Sequence, residues 1–464
     1  MRATRRILPA VLGALLVLPP SAGADDSGAG ATAPRRISLP YSQYTLPNGL
    51  RVVLHEDHRV PMIAVNVWYH VGSGREKPGR TGFAHLFEHL MFEGSGNVRE
   101  GDFDNLLEAA GGDNNGSTNQ DRTNYFTTVP SNALELALFL ESDRMGRLLD
   151  AMSPEKVDGQ RDVVKNERRQ LVENAPYGRV YDVLPALLFP KDHPYSWDTI
   201  GSMADLAAAS YEDVVEFFRT YYVPANASLV IAGDLDPART RALVDHWFGD
   251  VKPAARPSAA GQPPAALDGV RRKTMTDKVQ LPRLYLSWLT PARYLPGDAE
   301  LDVVASLLAD GKSSRLYKRL VYELQIAQDV SALQQSASLG STFSVVVTGR
   351  RIEGQSPGST IERTKTVVDE ELERLRVEPP AQDELARAVN QIEAAYFDAL
   401  EDLTSKADLL NAGLVQAGNP DYANEDLSRY RALDPHDVQA AVRAHLPPDR
   451  RVELVVEPET GPGR

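Results

Sequence analysis

The chain repeats itself, and that restricts its fold more than any other feature. Ser210-Tyr211-Glu212-Asp213-Val214, running through Pro224 to Leu229-Val230-Ile231, aligns without gaps with Asp434-Pro435-His436-Asp437-Val438, running through Pro448 to Glu453-Leu454-Val455, at an offset of 224 residues. Both copies open on a helix N-cap residue, continue as a helix and end in a proline turn before an apolar strand. Near the start of each copy, Pro61 and the strand 62–68 match Pro282 and residues 283–289, at an offset of 221. The pattern predicts an α+β fold of two homologous domains, each a mainly antiparallel sheet packed with helices. At 464 residues the chain also exceeds what one core usually serves. Lys252 to Pro264, with Pro253, Pro257, Pro263 and Pro264 among alanines, reads as the linker. The expected division is 37–251 and 269–458 as domains, 252–268 as linker and 459–464 as a tail.

The first residues belong to neither copy. Arg2, Arg5 and Arg6 precede the apolar run Ile7 to Leu18, and Ala22-Gly23-Ala24 supplies small residues for cleavage before Asp25. Residues 1–24 therefore read as a signal peptide, with 25–36 as a flexible leader. Export to the periplasm or beyond is expected, without a membrane anchor, since no later stretch has the length and apolarity of a span. With no cysteine, such a protein stands without disulfides, and thiolate metal sites are ruled out. The net charge of −14 becomes more negative when the three arginines leave, which disfavours a nucleic-acid partner.

Chemistry concentrates in Gly82-Phe83-Ala84-His85-Leu86-Phe87-Glu88-His89-Leu90-Met91-Phe92. On a helix, His85 and His89 project from one side a turn apart, so both imidazoles can reach one metal ion. With His85 at 0°, Glu88 falls near about 300° and His89 near about 40°, while Phe83, Leu86, Phe87, Leu90 and Met91 lie between about 100° and 240°. The helix thus has a chemical face and a core face. Zinc held by two neutral imidazoles and a carboxylate keeps a position for water, and a free carboxylate beside it can take the water's proton. Glu88 suits that second role. The bland alternative is a pair of histidines that happen to share a face.

Helix geometry also nominates a third ligand. Residues 153–173 read as a helix with Ser153 as N-cap, Pro154 at the first helical position and Glu155 in the first turn. Glu167 falls among Gln160, Val163, Val164 and Leu171, whereas Glu155, Asp158, Asp162 and Glu173 fall on the opposite side. It is the only carboxylate on what reads as an apolar stripe, a position that metal ligation explains. A salt bridge to a core arginine such as Arg144 is the structural alternative.

The motif, followed 78 positions after His89 by Glu167 within Val163-Val164-Lys165-Asn166-Glu167-Arg168-Arg169, resembles the pitrilysin/insulinase family of zinc peptidases. Further matches are Gly112 to Tyr125 (with Asn115, Thr118 and Thr123), His193-Pro194-Tyr195, and Tyr221-Tyr222-Val223-Pro224-Ala225-Asn226-Ala227 running on to Gly233-Asp234. The length is similar to that of the short, two-domain members, which include mitochondrial processing peptidase and its bacterial relatives. The resemblance implies one zinc ion per chain on His85, His89 and Glu167, Glu88 as the base, and a clamshell arrangement that admits peptides and unfolded segments. It also implies that the strand region around Asn115 aligns substrate by strand addition. The second copy has Ser306, Ala309 and Asp310 where the motif residues stand, so only the first copy can hold the metal.

Two departures from the family pattern stand out. Gln160 replaces an acidic residue that many relatives carry seven positions before the distal ligand. An arginine and tyrosine that reach from the second domain toward the substrate in many relatives are incompletely matched: Arg350 and Arg351 are present, but Pro357 and Gly358 stand where the tyrosine belongs. In the family such a gap points to a partner subunit, so a homodimer or a heterodimer with a homologous chain is expected to supply the pair. The expectation is thus an exported zinc-dependent metalloendopeptidase acting on oligopeptides or unfolded segments. Its rivals are a non-catalytic substrate-binding subunit of a two-chain assembly and a zinc hydrolase of non-peptide amides.

Overall fold

A computed structural model describes residues 36–259, 261 and 265–459. The expected signal peptide, the leader up to residue 35, and residues 460–464 of the tail lie outside the described residues. From Ile37 onward the chain belongs to one compact unit built on two sheets.

The first sheet uses β1 (Tyr41–Thr45), β2 (Arg51–Glu56), β3 (Met62–Tyr69), β4 (Asp113–Thr118), β5 (Thr123–Pro130) and β6 (Ala227–Gly233), in the order β1-β2-β6-β3-β5-β4. The second uses β7 (Arg271–Asp277), β8 (Arg283–Thr290), β9 (Ala327–Gln335), β10 (Ser341–Gly349) and β11 (Val452–Pro458), in the order β7-β11-β8-β10-β9. Apart from β1 the two correspond strand for strand. Each has one parallel pair, β2 with β6 and β7 with β11, and antiparallel pairs elsewhere. The repeat seen in the sequence is therefore a repeat of topology.

Helices α1 (Phe83–Leu90), α2 (Asp102–Ala109), α3 (Leu134–Ala151), α4 (Pro154–Arg168), α5 (Val180–Leu188), α6 (Met203–Ala208), α7 (Tyr211–Tyr221) and α8 (Pro237–Phe248) lie in the first half of the chain. Helices α9 (Asp298–Ala309), α10 (Pro357–Val377), α11 (Gln382–Ala399), α12 (Leu403–Ala412), α13 (Tyr422–Arg431) and α14 (Pro435–His445) lie in the second half. Among the described residues no helix is long and apolar enough to cross a membrane.

The two halves exchange helices. Along β3, Ile63, Val65, Val67 and Tyr69 point into the core that contains Phe83, Leu86, Phe87 and Leu90 of α1. Ala64 points the other way, into a separate core with Leu403, Ala407 and Leu410 of α12 and Ala423 and Leu427 of α13. Because side chains alternate across a strand, β3 is covered on both faces, which is why it is apolar almost throughout. In return, Val180 and Leu188 of α5 pack with Tyr285, Val452, Leu454 and Val456 of the second sheet. The exchange is sealed by polar contacts: Asp408 of α12 accepts hydrogen bonds from Asn66 (3.0 Å), Trp68 (2.9 Å) and Asn124 (3.3 Å) of the first sheet.

The glycine- and asparagine-rich residues 111–116 have the composition of a turn, but Asp113–Thr118 is itself β4, and the turn lies at residues 119–122. Asn119 makes that turn: its side-chain oxygen accepts from the backbone N–H groups of Asp121 (2.8 Å) and Arg122 (2.9 Å). Among the described residues strand β4 pairs only with β5, so its other edge carries no strand there.

Candidate metal centre

Helix α1 has the two faces its sequence implies. Phe83, Leu86, Phe87 and Leu90 are buried, and Phe87 stacks on Phe217 and Tyr222 with ring centroids 5.0 Å away in each case. His85, Glu88 and His89 lie on the partly exposed side. The helix starts at Gly82, whose φ of 90° favours glycine and whose missing side chain lets the carbonyl of Ile200 approach; an added Cβ would lie 2.7 Å from that oxygen. Gly82 offers no side chain to cap the helix. Glu76 does so from the preceding loop, accepting from the backbone N–H of Gly82 (3.0 Å) and of Ala84 (2.8 Å) and from the Trp197 indole (3.1 Å). A carboxylate here meets both the free amide groups and the positive end of the helix dipole.

The distal carboxylate arrives on α4. Ser153 caps that helix, accepting from the Lys156 N–H, and Pro154 opens it. Glu167 occupies its last turn, after which residues 169–173 widen into a π-helical turn. The adjacent Arg168 points into the protein and donates to the Gly201 carbonyl (2.5 Å) and to Asp182 (2.5 Å), which pins the helix end. The stripe expected around Glu167 is corrected: Val164 is fully buried, but Val163 and Leu171 are 43% and 44% exposed. The Glu167 side chain is itself only 11% exposed, and the two histidines beside it set its environment. Arg144, the alternative partner, instead pairs with buried Glu141 and lies against the rings of Phe92, Phe103 and Tyr125.

His85, His89 and Glu167 come together. Each offers a ligand atom, and these atoms all lie within 4.8 Å of one another. Oε2 of Glu167 is 3.2 Å from Nε2 of His89 and 3.7 Å from Nε2 of His85, and the two imidazole planes stand at 84°. That oxygen is buried and accepts no hydrogen bond among the described residues. Burial holds the His85 imidazole below its ordinary pKa against the pull of Glu88, which favours the neutral form a metal requires. Burial raises the Glu167 carboxyl, but the two histidines outweigh it and leave the group below its ordinary value. Two imidazole nitrogens and one carboxylate oxygen, close together and without other partners at that oxygen, are a donor set suited to zinc.

Glu88 stands beside this group, against the open-edged strand. Its Oε2 accepts a hydrogen bond from Thr118 Oγ1 at 2.6 Å. Gly116, two residues earlier, is so close that an added Cβ would lie 3.0 Å from Glu88 Cγ. Asn115 is exposed on the same strand, and its side-chain oxygen accepts from the Gly116 N–H at 2.8 Å. Gln160, the departure on α4, donates to Glu93 at 2.6 Å, and Lys156 donates to the Glu93 carbonyl at 2.6 Å, so α4 is tied to the segment just after α1.

The second half contributes differently from expectation. Arg350 and Arg351 are exposed and follow β10 at the end opposite the 336–340 turn. That turn is the part that reaches the first half near β4: Asp121 accepts from both the N–H and hydroxyl of Ser338 at 3.0 Å, and Tyr195 donates to Asp121. Ser306 of α9, the counterpart of His85, is buried and donates to Gln391. Sequence reasoning assigned no role to Glu76 or Thr118. Thr118 stood inside a matching stretch, yet its meaning depends on strand pairing that no local period reveals; Glu76 carries no local signal at all.

Residues 51–193 match the family model described as Insulinase (Peptidase family M16), and residues 208–392 match the one described as Peptidase M16 inactive domain. The chain is 30% identical over 407 residues to a protein named Zinc protease PqqE from Helicobacter pylori, covering 86% of this chain and 89% of that one. Among solved structures, a protease from Helicobacter pylori superimposes with a TM-score of 0.83 at 27% identity, covering 90% of this chain and 100% of the other. The periplasmic protease PqqL from Escherichia coli superimposes with a TM-score of 0.75 at 17% identity, over 91% of this chain and 48% of that one. With the fold, the site and these likenesses together, the chain belongs to peptidase family M16, the insulinase family.

Proposed function

We propose that this protein is an exported zinc-dependent endopeptidase that hydrolyses peptide bonds in oligopeptides or unfolded segments. The observation that carries the reading is the convergence of His85, His89 and Glu167 with Glu88 alongside, held by Thr118. His85, His89 and Glu167 would hold one zinc ion per chain. When bound, the ion supplies a polarised water of lowered pKa and a Lewis acid for the scissile carbonyl. Glu88 would take the water's proton and pass it to the leaving amine. The open edge of β4 would add the substrate as a further strand, and exposed Asn115 would contact it there. Residues 37–251 would form the zinc-binding domain, 252–268 the linker and 269–458 the copy without the metal motif.

Export rests on the N-terminal sequence, and a structural neighbour is named a periplasmic protease. Because Arg350 and Arg351 lie at the far end of β10, an arginine and tyrosine for the substrate carbonyl would come from a second, homologous chain. The test is Glu88→Gln assayed on an unstructured peptide, with zinc measured per chain. The variant should keep its zinc and lose turnover by about a hundredfold or more. Unchanged cleavage would remove Glu88 as the base, and loss of zinc would move it into the ligand set.

A further inference from the structure

We infer that Thr118 is a positioning residue that aims the Glu88 carboxylate; this rests on Glu88 being the base. A glutamate side chain turns about three bonds, and a base that wanders is a poor one. Glu88 receives a hydrogen bond on Oε2 alone, from Thr118 Oγ1 at 2.6 Å, a short distance typical of a hydroxyl donating to a charged oxygen. Among the described residues no hydrogen bond to Oε1 is present, so that oxygen is left for the water.

The proton assignment follows from the neighbours. Thr118 Oγ1 also lies 3.3 Å from Thr123 Oγ1, but Thr123 gives its own proton to the Val71 carbonyl at 2.9 Å. Thr118 therefore has one proton and two candidate acceptors, and the nearer, charged one is Glu88. Thr123 is fully buried and opposite Thr118 in the β4–β5 pairing, which fixes the donor in turn.

Gly116 and Thr118 are two residues apart on β4 and share a face. One leaves room for the Glu88 methylene, and the other supplies the donor. A single strand thus serves the base from one face while its unpaired edge stays available to a peptide. Loss of the hydroxyl should act on the chemical step and spare both binding and metal, because Thr118 donates to none of the three converging residues.

The experiment compares wild type, Thr118→Val, Thr118→Ser and Glu88→Gln, each checked by thermal melting. It reads zinc per chain, kcat and KM on an unstructured peptide, and the Glu88 conformation in crystals of the metal-free protein. Thr118→Val should lower kcat about tenfold to a hundredfold with KM within about twofold and zinc unchanged, and should spread Glu88 over several rotamers. Thr118→Ser should stay within about threefold of wild type and keep one rotamer. The inference is overturned if Thr118→Val turns over normally while Glu88→Gln does not, if serine fails to rescue, or if Glu88 keeps its single rotamer without the hydroxyl. If Glu88→Gln itself cleaves at the wild-type rate, the base assignment falls first and takes this role with it.

Discussion

Asp302 shows how a single carboxyl in the second half makes stability depend on pH. Burial pushes its pKa from 3.8 up to about 7, helped by Asp298 and Asp426 and opposed by the Tyr430 hydroxyl and Arg429. Tyr430 donates to it at 2.8 Å. In the unfolded chain the group ionises near its ordinary value, so between the two the native state holds a proton that the unfolded state has lost. Stability therefore falls as pH rises through this window. Asp302→Asn keeps an acceptor for Tyr430 and removes the titration. Its stability relative to wild type, from denaturant curves, should rise by about 2–3 kcal/mol between pH 5 and pH 8. A difference that does not change with pH would show that Asp302 is already ionised at pH 5.

At the scale of elements, α1 matters because its short length leaves His85, Glu88 and His89 dependent on what holds its ends. Glu76 satisfies two amide groups at the start, and α4 is bonded through Gln160 and Lys156 to Glu93 just beyond the end. Glu76→Ala would strand the buried amide groups of Gly82 and Ala84, while the Trp197 indole keeps the Ser73 carbonyl at 3.1 Å, and should cost about 2–4 kcal/mol in unfolding free energy. An unchanged denaturation midpoint would mean that water replaces the carboxylate. The two faces of α1, the cap at Ser153 and the strand–helix–strand repeat were legible in the sequence because each is a local pattern. The β4–β5 hairpin was not, since Asp113-Asn114-Asn115-Gly116 has turn composition and becomes a strand through pairing with β5. Glu167 was singled out on a partly mistaken ground: it lies on α4 as expected, but two of the neighbours that made up the apolar stripe, Val163 and Leu171, are exposed.

The whole molecule owes its cohesion to the exchange of helices between halves. Sequence period cannot reveal this, because it marks which face of a helix is buried but not which sheet covers it, and α5 and α12 each cover the other half's sheet. A fragment ending at residue 251 would expose Val53, Ala64, Val230 and Ala232 and leave Asn66, Trp68 and Asn124 without Asp408. It should aggregate or remain partly unfolded even though it contains the entire candidate metal centre. A soluble fragment that melts cooperatively would show that the exchanged helices are dispensable.

Zinc-edge anomalous diffraction from crystals of the full-length protein shows whether His85, His89 and Glu167 hold the metal. One strong peak per chain is expected, within about 2.0–2.2 Å of Nε2 of His85, Nε2 of His89 and a carboxylate oxygen of Glu167, with Glu88 outside the coordination shell. A zinc-loaded crystal with no peak there, or with Glu88 as a ligand and Glu167 turned away, would contradict this ligand set.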